Sequence, residues 1–372
     1  MEKTFIVDQS DLIKSLTIVM QAVNINNVLP ITRCLLITVD GISSTLTATG
    51  TDLETTIESS CLVNANEAIE FAIPAKLFFD IVKSLKGKLT IVVKESGIVI
   101  NTDTGQYKIA IDDAADFPQT PQEDMEPNTI EVSAHELLHI GTLCLNTIAN
   151  DDLLRPAMTG IYLEKEGDEL IVTSTDAHRL TSGRIAIEND GNEVKAIVPK
   201  KAFIALKTAI TAATINVELY TTSHNVVFKF GDTKIVARLI DATFPNYRVI
   251  LPTQNNITLN CNTKELVIAV RNAMICTNKV TSLVVISLNT DGCTVKGQDV
   301  EMGNLSVQNV AAECSEELNI GFNGKLLIEM LNGISTINCE MHFKTASTAA
   351  LICEDDDSTT TITRLIMPII LS

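Results

Sequence analysis

Three stretches of this chain echo one another. Thr49-Gly50-Thr51-Asp52-Leu53-Glu54, Thr173-Ser174-Thr175-Asp176-Ala177-His178-Arg179-Leu180 and Lys296-Gly297-Gln298-Asp299-Val300-Glu301 recur about 125 residues apart in a chain of 372. A spacing that regular predicts one structural unit written three times. Each copy carries an Asp in a polar turn, where its carboxylate can hold the backbone. Only the middle copy follows its Asp with His and Arg.

The elements around the echoes repeat in order. Apolar residues at helical spacing predict a first helix at Ser10–Ile25, Ser133–Ile148 and Asn262–Thr277. A second helix is expected at Ala75–Leu85, from Pro199 to about Ala209, and at Asn323–Leu331, with Pro74 and Pro199 at the first turns. Alternating runs such as Cys34–Val39, Leu89–Val93, Asn216–Tyr220 and Ser282–Leu288 read as strands, about six to eight per copy. Asp116-Phe117-Pro118 and Thr243-Phe244-Pro245 close the first two copies, and Gln119–Pro127 and Pro252–Asn256 are candidate linkers. The expected domains are therefore 1–127, 128–252 and 253–372. Two helices among many strands is neither a doubly wound sheet nor an all-β sandwich; an α+β unit fits.

Composition narrows the chemistry. Aromatics are 4% and Trp is absent, so the core must be aliphatic. Nine scattered Cys without a C-x-x-C pair suggest small buried hydrophobes in a reducing compartment rather than disulfides or zinc sites. Met1-Glu2-Lys3-Thr4 opens straight into Phe5-Ile6-Val7 without a signal pattern, and no apolar run approaches a membrane span. A cytoplasmic protein without membrane attachment is expected. The net charge of -18 argues against a surface that binds nucleic acid all over. Yet Lys76, Lys83, Lys86 and Lys88, then Lys200, Lys201 and Lys207, then Lys264, Arg271 and Lys279 recur on or beside the helices. The acidic runs Asp112-Asp113, Glu123-Asp124-Met125-Glu126 and Glu354-Asp355-Asp356-Asp357 fall elsewhere. For one helix this is an ordinary solvated face. Recurrence in aligned places points to a polyanion-facing surface, and the lack of aromatics there favours phosphate contact over base stacking.

Two motifs invite an enzymatic reading. His135-Glu136-Leu137-Leu138-His139 matches H-E-x-x-H, which would make a zinc-dependent hydrolase with Glu136 as base. Ser133 and Glu136 also form a capping box, which accounts for Glu136 without metal. Asp176, His178 and Arg179 have Ser174 and Thr175 beside them, but strand alternation would put Arg179 on the face opposite Asp176 and His178. No phosphate-cradling Gly-rich motif occurs. No cofactor is expected.

Leu29-Pro30-Ile31, Ile73-Pro74-Ala75-Lys76-Leu77-Phe78-Phe79-Asp80, Ala115-Asp116-Phe117-Pro118, Thr175-Asp176-Ala177-His178-Arg179-Leu180, Val198-Pro199-Lys200-Lys201, Phe244-Pro245-Asn246-Tyr247-Arg248 and Met367-Pro368 together resemble the bacterial DNA polymerase III β subunit, the sliding clamp, from end to end. The resemblance implies a DNA clamp fold: three similar domains per chain, each with two helices on curved antiparallel sheets. It also implies a head-to-tail homodimeric ring around duplex DNA, helices inward and sheets outward. The clamp loader, the replicative polymerase and other proteins with clamp-binding motifs are the implied partners, and the chain would have no catalysis of its own. Carried over residue by residue, the partner-peptide pocket would comprise Met158, Thr175, Ala177, His178, Arg179, Leu180, Pro245, Ile250, Leu365, Met367 and Pro368, with Asn323 at its edge. Lys76, Lys200 and Lys201 would face DNA. Tyr107 and Ile109 would meet Met274 and Ile275 across the dimer interface, with Asp299 and Glu301 facing Lys76 or its neighbours. Ala177 stands where many family members have Gly, so its methyl is expected to narrow the pocket. Asn26-Asn27 and the Ile369-Ile370-Leu371-Ser372 tail stand where basic residues are frequent in the family.

Overall fold

The computed structural model describes residues 2–24, 29–102, 105–120, 129–150, 155–188, 193–354 and 362–371. Asn26-Asn27, Glu123–Glu126, most of the first linker, Asp355–Asp357 and Ser372 lie outside them. Six α-helices are present among the described residues: α1 (Gln9–Val19), α2 (Ala75–Ser84), α3 (Ala134–Leu145), α4 (Lys200–Ala209), α5 (Thr263–Met274) and α6 (Gly324–Leu331). They match the six expected helices, each shorter overall, although α1 begins one residue earlier than expected. The chain divides into two compact units, Met1–Leu138 with Ala186–Ile240, and His139–Ile185 with Asp241–Ser372.

The odd-numbered helices open alike. Asp8 Oδ1 accepts from Ser10 N–H at 2.9 Å, Ser133 Oγ from Glu136 N–H at 3.4 Å, and Asn262 Oδ1 from Lys264 and Glu265 N–H at 3.1 Å. Each bond satisfies a donor that the first helical turn leaves open. The even-numbered helices grow directly out of strands, at Pro74, Pro199 and Asn323. Pro74 and Pro199 occupy the cap itself, not the first turn as expected: each is the last residue of its strand, in extended or near-extended backbone that the fixed φ of proline suits. The strand leading into each odd-numbered helix adds to the expected set: Lys3–Asp8, Ile130–Ser133 and Ile257–Asn262, of which the last two do alternate apolar and polar residues.

In the first unit, a twelve-stranded antiparallel sheet runs from Gly105–Ala110 at one end to Ile130–Ser133 at the other. Its long strand Thr55–Ala65 pairs with Thr233–Arg238 through its first half and with Lys3–Asp8 through its last residues. In the second unit, Arg179–Ala186 pairs with Thr363–Ile366, which pairs with Ala350–Glu354. A separate four-stranded sheet there runs Asn304–Val310, Gly292–Asp299, Leu283–Asn289, Leu318–Asn323. Its core is aliphatic, as composition requires, with Leu259, Leu266, Val270, Ile286, Val295 and Leu327 around Phe322 and Phe343. Each such buried side chain contributes about 1.5–3 kcal/mol.

The echo has a packing reason. Gly50 and Gly297 lie where their strands cross the end of an odd-numbered helix. A Cβ on Gly50 would come 2.9 Å from Val19 Cγ1 and O, and one on Gly297 would come 2.0 Å from Ala273 O. The middle copy has Ser174 at this position. Its hydroxyl donates to Cys144 O in the last turn of α3 at 2.8 Å and pairs with Thr147 Oγ1 at 2.5 Å. The same strand-to-helix contact is thus made by a bare backbone twice and by a hydrogen bond once.

Candidate functional site

The Asp turn recurs in all three copies, as expected. Asp52 Oδ1 accepts from Glu54 N–H (3.1 Å) and Thr55 N–H (2.7 Å), Asp176 Oδ1 from His178 and Arg179 N–H (both 2.9 Å), and Asp299 Oδ1 from Met302 N–H (3.3 Å). In the first two copies the next residue takes a left-handed conformation, with φ 79° at Leu53 and 72° at Ala177. A threonine just before the Asp supports it: Leu53 N–H donates to Thr51 Oγ1 at 3.1 Å and Ala177 N–H to Thr175 Oγ1 at 3.2 Å. Ala177 is exposed. An alanine in this conformation carries backbone strain of about 1–2 kcal/mol.

The middle turn carries the additions. Arg179 does not point away from Asp176, as alternation predicted. Strand pairing begins only at Arg179, so the chain reverses between the two residues. Arg179 Nε donates to Asp176 Oδ2 at 3.0 Å and Nη1 to Glu329 Oε2 on α6 at 2.6 Å, with the arginine side chain only 7% exposed. The same turn is tied to the C-terminal segment: Met367 N–H donates to His178 O at 2.7 Å, continuing the register Arg179↔Ile366 and Leu180↔Leu365.

The expected pocket residues thus fall into two groups. Ala177, His178, Ile250 and Met367 are exposed, and Met158, Pro245 and Pro368 are half-buried. Thr175, Arg179, Leu180 and Leu365 are buried and offer no open surface. Leu180 and Leu365 pack with Tyr247 and Ala349, backed by Tyr162, Phe244, Leu251 and Leu351. Tyr162 and Phe244 stack at 4.7 Å, and Phe244 meets Tyr247 edge-on at 6.2 Å. Burial, and then the charge of Glu164, push the Tyr162 phenol up. Asn323 caps α6, its Oδ1 accepting from Lys325 and Leu326 N–H at 3.0 and 3.3 Å. The tail is also held: Ile369 N–H donates to Gly321 O at 2.7 Å.

The other expected sites are less uniform. Lys76 is exposed and pairs loosely with Asp80 at 3.2 Å, and Lys200 is exposed. Lys201 is different: its ammonium is ion-paired with Asp52 and donates to Ala22 O at 2.9 Å, so it ties α4 to the first Asp turn. Of the expected interface residues, Tyr107 and Ile275 are exposed, whereas Ile109 is buried and Met274 packs against the core. Sequence reasoning missed Leu305 and Val307, which stand 55% and 52% exposed on the edge strand Asn304–Val310. Apolar residues outside on an alternating strand were the available signal. His135 and His139 lie on α3, and among the described residues no group of three or more His, Cys, Asp or Glu is placed to hold a metal.

Family models for the DNA polymerase III beta subunit match in succession: the N-terminal domain over residues 3–121, the central domain over 144–246 and the C-terminal domain over 248–370. The chain belongs to this family. The family's repeated domain accounts for the threefold echo. The beta sliding clamp of Synechocystis sp. is 26% identical over 90% of this chain and 91% of its own length. That of Haemophilus influenzae is 27% identical over 83% and 86%. Two solved structures share the fold across both whole chains: a Pseudomonas aeruginosa DnaN sliding clamp bound to griselimycin (TM-score 0.93, 24% identity) and the Bacillus subtilis DNA polymerase sliding clamp (TM-score 0.91, 23% identity).

Proposed function

We infer that this chain is a sliding clamp that encircles duplex DNA as a head-to-tail homodimer and tethers the replicative polymerase and other motif-bearing proteins. The observation that carries this reading is the family match in three consecutive domains along a chain that repeats its own turn and helices three times. The domains are read as 1–127, 128–252 and 253–372, placed on the DNA by a clamp loader. The protein is read as cytoplasmic and without catalysis of its own; no helix among the described residues is long and apolar enough to cross a membrane.

Ring closure is supported by two open sheet edges, Gly105–Ala110 and Asn304–Val310, which carry the exposed Tyr107, Leu305 and Val307. An unpaired strand edge is a template for another chain, and apolar side chains on it call for cover. DNA contact is assigned to Lys76 and Lys200, whose exposed ammonium groups suit sequence-independent phosphate contact. The partner-peptide groove is assigned to the rim Ala177, His178, Ile250 and Met367 over the Leu180–Leu365 floor. Its few polar groups and apolar walls suit Leu and Phe side chains.

The test is topological. After loading, the protein should stay on a nicked circle and run off a linear duplex. Equal retention on both would refute encirclement. Sedimentation should give a dimer; a stable monomer at micromolar concentration would refute the ring.

A further inference from the structure

Arg364 is buried, with 2% of its surface exposed, in the strand Thr363–Ile366 that also carries Leu365. It lies on the other side of the sheet from the docking groove. Alternation along this strand and its neighbour sends Leu180 and Leu365 to the face of Tyr247, and Arg179, Thr181, Arg364 and Ile366 to the opposite face. There Ile366 shares a core with Leu327 and Met330 of α6.

On that face one guanidinium joins three elements. Arg364 Nη2 donates to Gly333 O, just past the end of α6, and to Glu354 Oε1, at the end of the strand Ala350–Glu354, both at 2.8 Å. Glu354 Oε2 accepts in turn from Ser335 Oγ at 3.0 Å. A cation is favoured beside the carbonyls that end a helix. Further back on α6, Glu329 accepts from Arg179 Nη1. Two paired strands thus each hold α6 by an arginine. The same strands lead to the two halves of the groove rim, Ala177–His178 and Met367, which the bond from Met367 N–H to His178 O joins.

The arrangement is not the most stable one available. Burial lowers the Arg364 pKa, against the pull of Glu354, and its Nε–H has no hydrogen-bond partner among the described residues. The repeat shows that the fold does not require an arginine here. Counted from the Asp turns, the pair Thr181↔Arg364 corresponds to Ile57↔Ile235 in the first copy, where Ile235 is 0% exposed. A buried ion pair commonly stabilises a protein no more than apolar residues of similar volume do. An arginine that stands where isoleucine serves the fold has another task.

We propose that Arg364 is a positioning residue of the docking groove: from behind the sheet it fixes the strand Thr363–Ile366 against the end of α6, and so sets the spacing between Met367 and the Ala177–His178 turn. The proposal rests on the groove reading given above. Hydrogen bonds have a preferred length and direction, so they hold the strand at one height on α6, where apolar packing alone would let it shift.

The experiment uses the full chain and one fluorescent peptide with a Leu/Phe anchor. Affinity is read by anisotropy, well below every melting temperature. Stability is read by calorimetry, and the Met367 amide by hydrogen exchange. Arg364→Ile should melt lower than the wild type, because Glu354 loses its cation. Arg364→Ile/Glu354→Gln, which removes both charges, should recover most of that melting temperature. Its affinity should nevertheless stay about 3–10-fold weaker than wild type, with exchange at Met367 about tenfold faster. Arg364→Lys, which can still reach Glu354, should recover part of the affinity, and it carries the test with the double variant if Arg364→Ile does not fold. Wild-type affinity in the double variant, or an affinity loss that tracks melting temperature across the three variants, would overturn the proposal. If the wild type binds no peptide, or if Met367→Ala leaves affinity unchanged, the groove reading falls and the proposal with it.

Discussion

Replacing Arg179 with Ala separates the shape of the site from its contacts. The arginine side chain is 7% exposed and joins Asp176 (14% exposed) to Glu329 (52% exposed). Removing one partner of a buried pair costs about 3–5 kcal/mol, because the other charge is left in a poor solvent. Here Glu329 can turn to water, so that half contributes at most about 1 kcal/mol. Asp176 cannot, but its Oδ1 keeps the two N–H bonds from His178 and Arg179. A net loss of about 2–3 kcal/mol follows, which for a unit of this size lowers its melting temperature by roughly 4–10 °C. The assay is calorimetry of the wild type and variants in a double-mutant cycle. Coupling between Arg179 and Asp176→Asn should be about 1.5–3 kcal/mol, and coupling between Arg179 and Glu329→Gln below about 1 kcal/mol. Partner-peptide affinity should fall as well, because the turn that presents Ala177 and His178 loosens. Met367→Ala should weaken binding with little change in melting. The reasoning is refuted if Arg179→Ala melts like the wild type, or if Glu329 couples more strongly than Asp176.

Four further outcomes follow from individual positions. Ala177→Gly should raise stability by about 0.5–1 kcal/mol, the relief at φ 72° exceeding the entropy that glycine loses on folding; an unchanged or lowered melting temperature would contradict the strain. Gly297→Ala should destabilise by about 2–3 kcal/mol, because the added carbon meets the Ala273 carbonyl; Gly50→Ala should cost less, since one of its contacts is the Val19 side chain, and denaturant midpoints will rank them. Lys201→Met should destabilise the protein while changing the salt slope of DNA retention less than Lys200→Ala; the reverse order would return Lys201 to the DNA. Burial pushes the Cys34 and Cys61 thiols up to about 11 and those of Cys144 and Cys293 to about 12, from an ordinary value of 9.0. The folded state holds these protons more tightly than the unfolded chain. Stability should therefore be full below pH 9 and fall as pH rises from 9 towards 12. Cys144→Ala should flatten that decline, and equal slopes in both proteins would refute the assignment.

Much of this molecule is legible along the chain because its causes are local. The six helices follow from apolar spacing bounded by Asp8, Ser133, Asn262, Pro74, Pro199 and Asn323, each of which acts within a few residues of its own position. The Asp turns follow from the reach of a carboxylate to backbone N–H groups two and three residues ahead. The threefold repeat is visible because strand, turn and helix are copied in the same order, and the aliphatic core because almost no aromatics are available to fill it.

The site was decided elsewhere. Arg179 looks like an open wall when judged by its neighbours, yet it is buried because Glu329, 150 residues away, meets its guanidinium. Lys201 looks like one more basic residue on a helix, yet Asp52 lies beside it once the first unit folds. Leu180 and Leu365 come together only when strands far apart in the sequence pair. Such contacts depend on sheet register and on which charges burial brings together, and neither is written at short range. His178 and Arg179 marked the middle turn as different from its two echoes. Only the tertiary contacts gave one of them to the surface and the other to the interior.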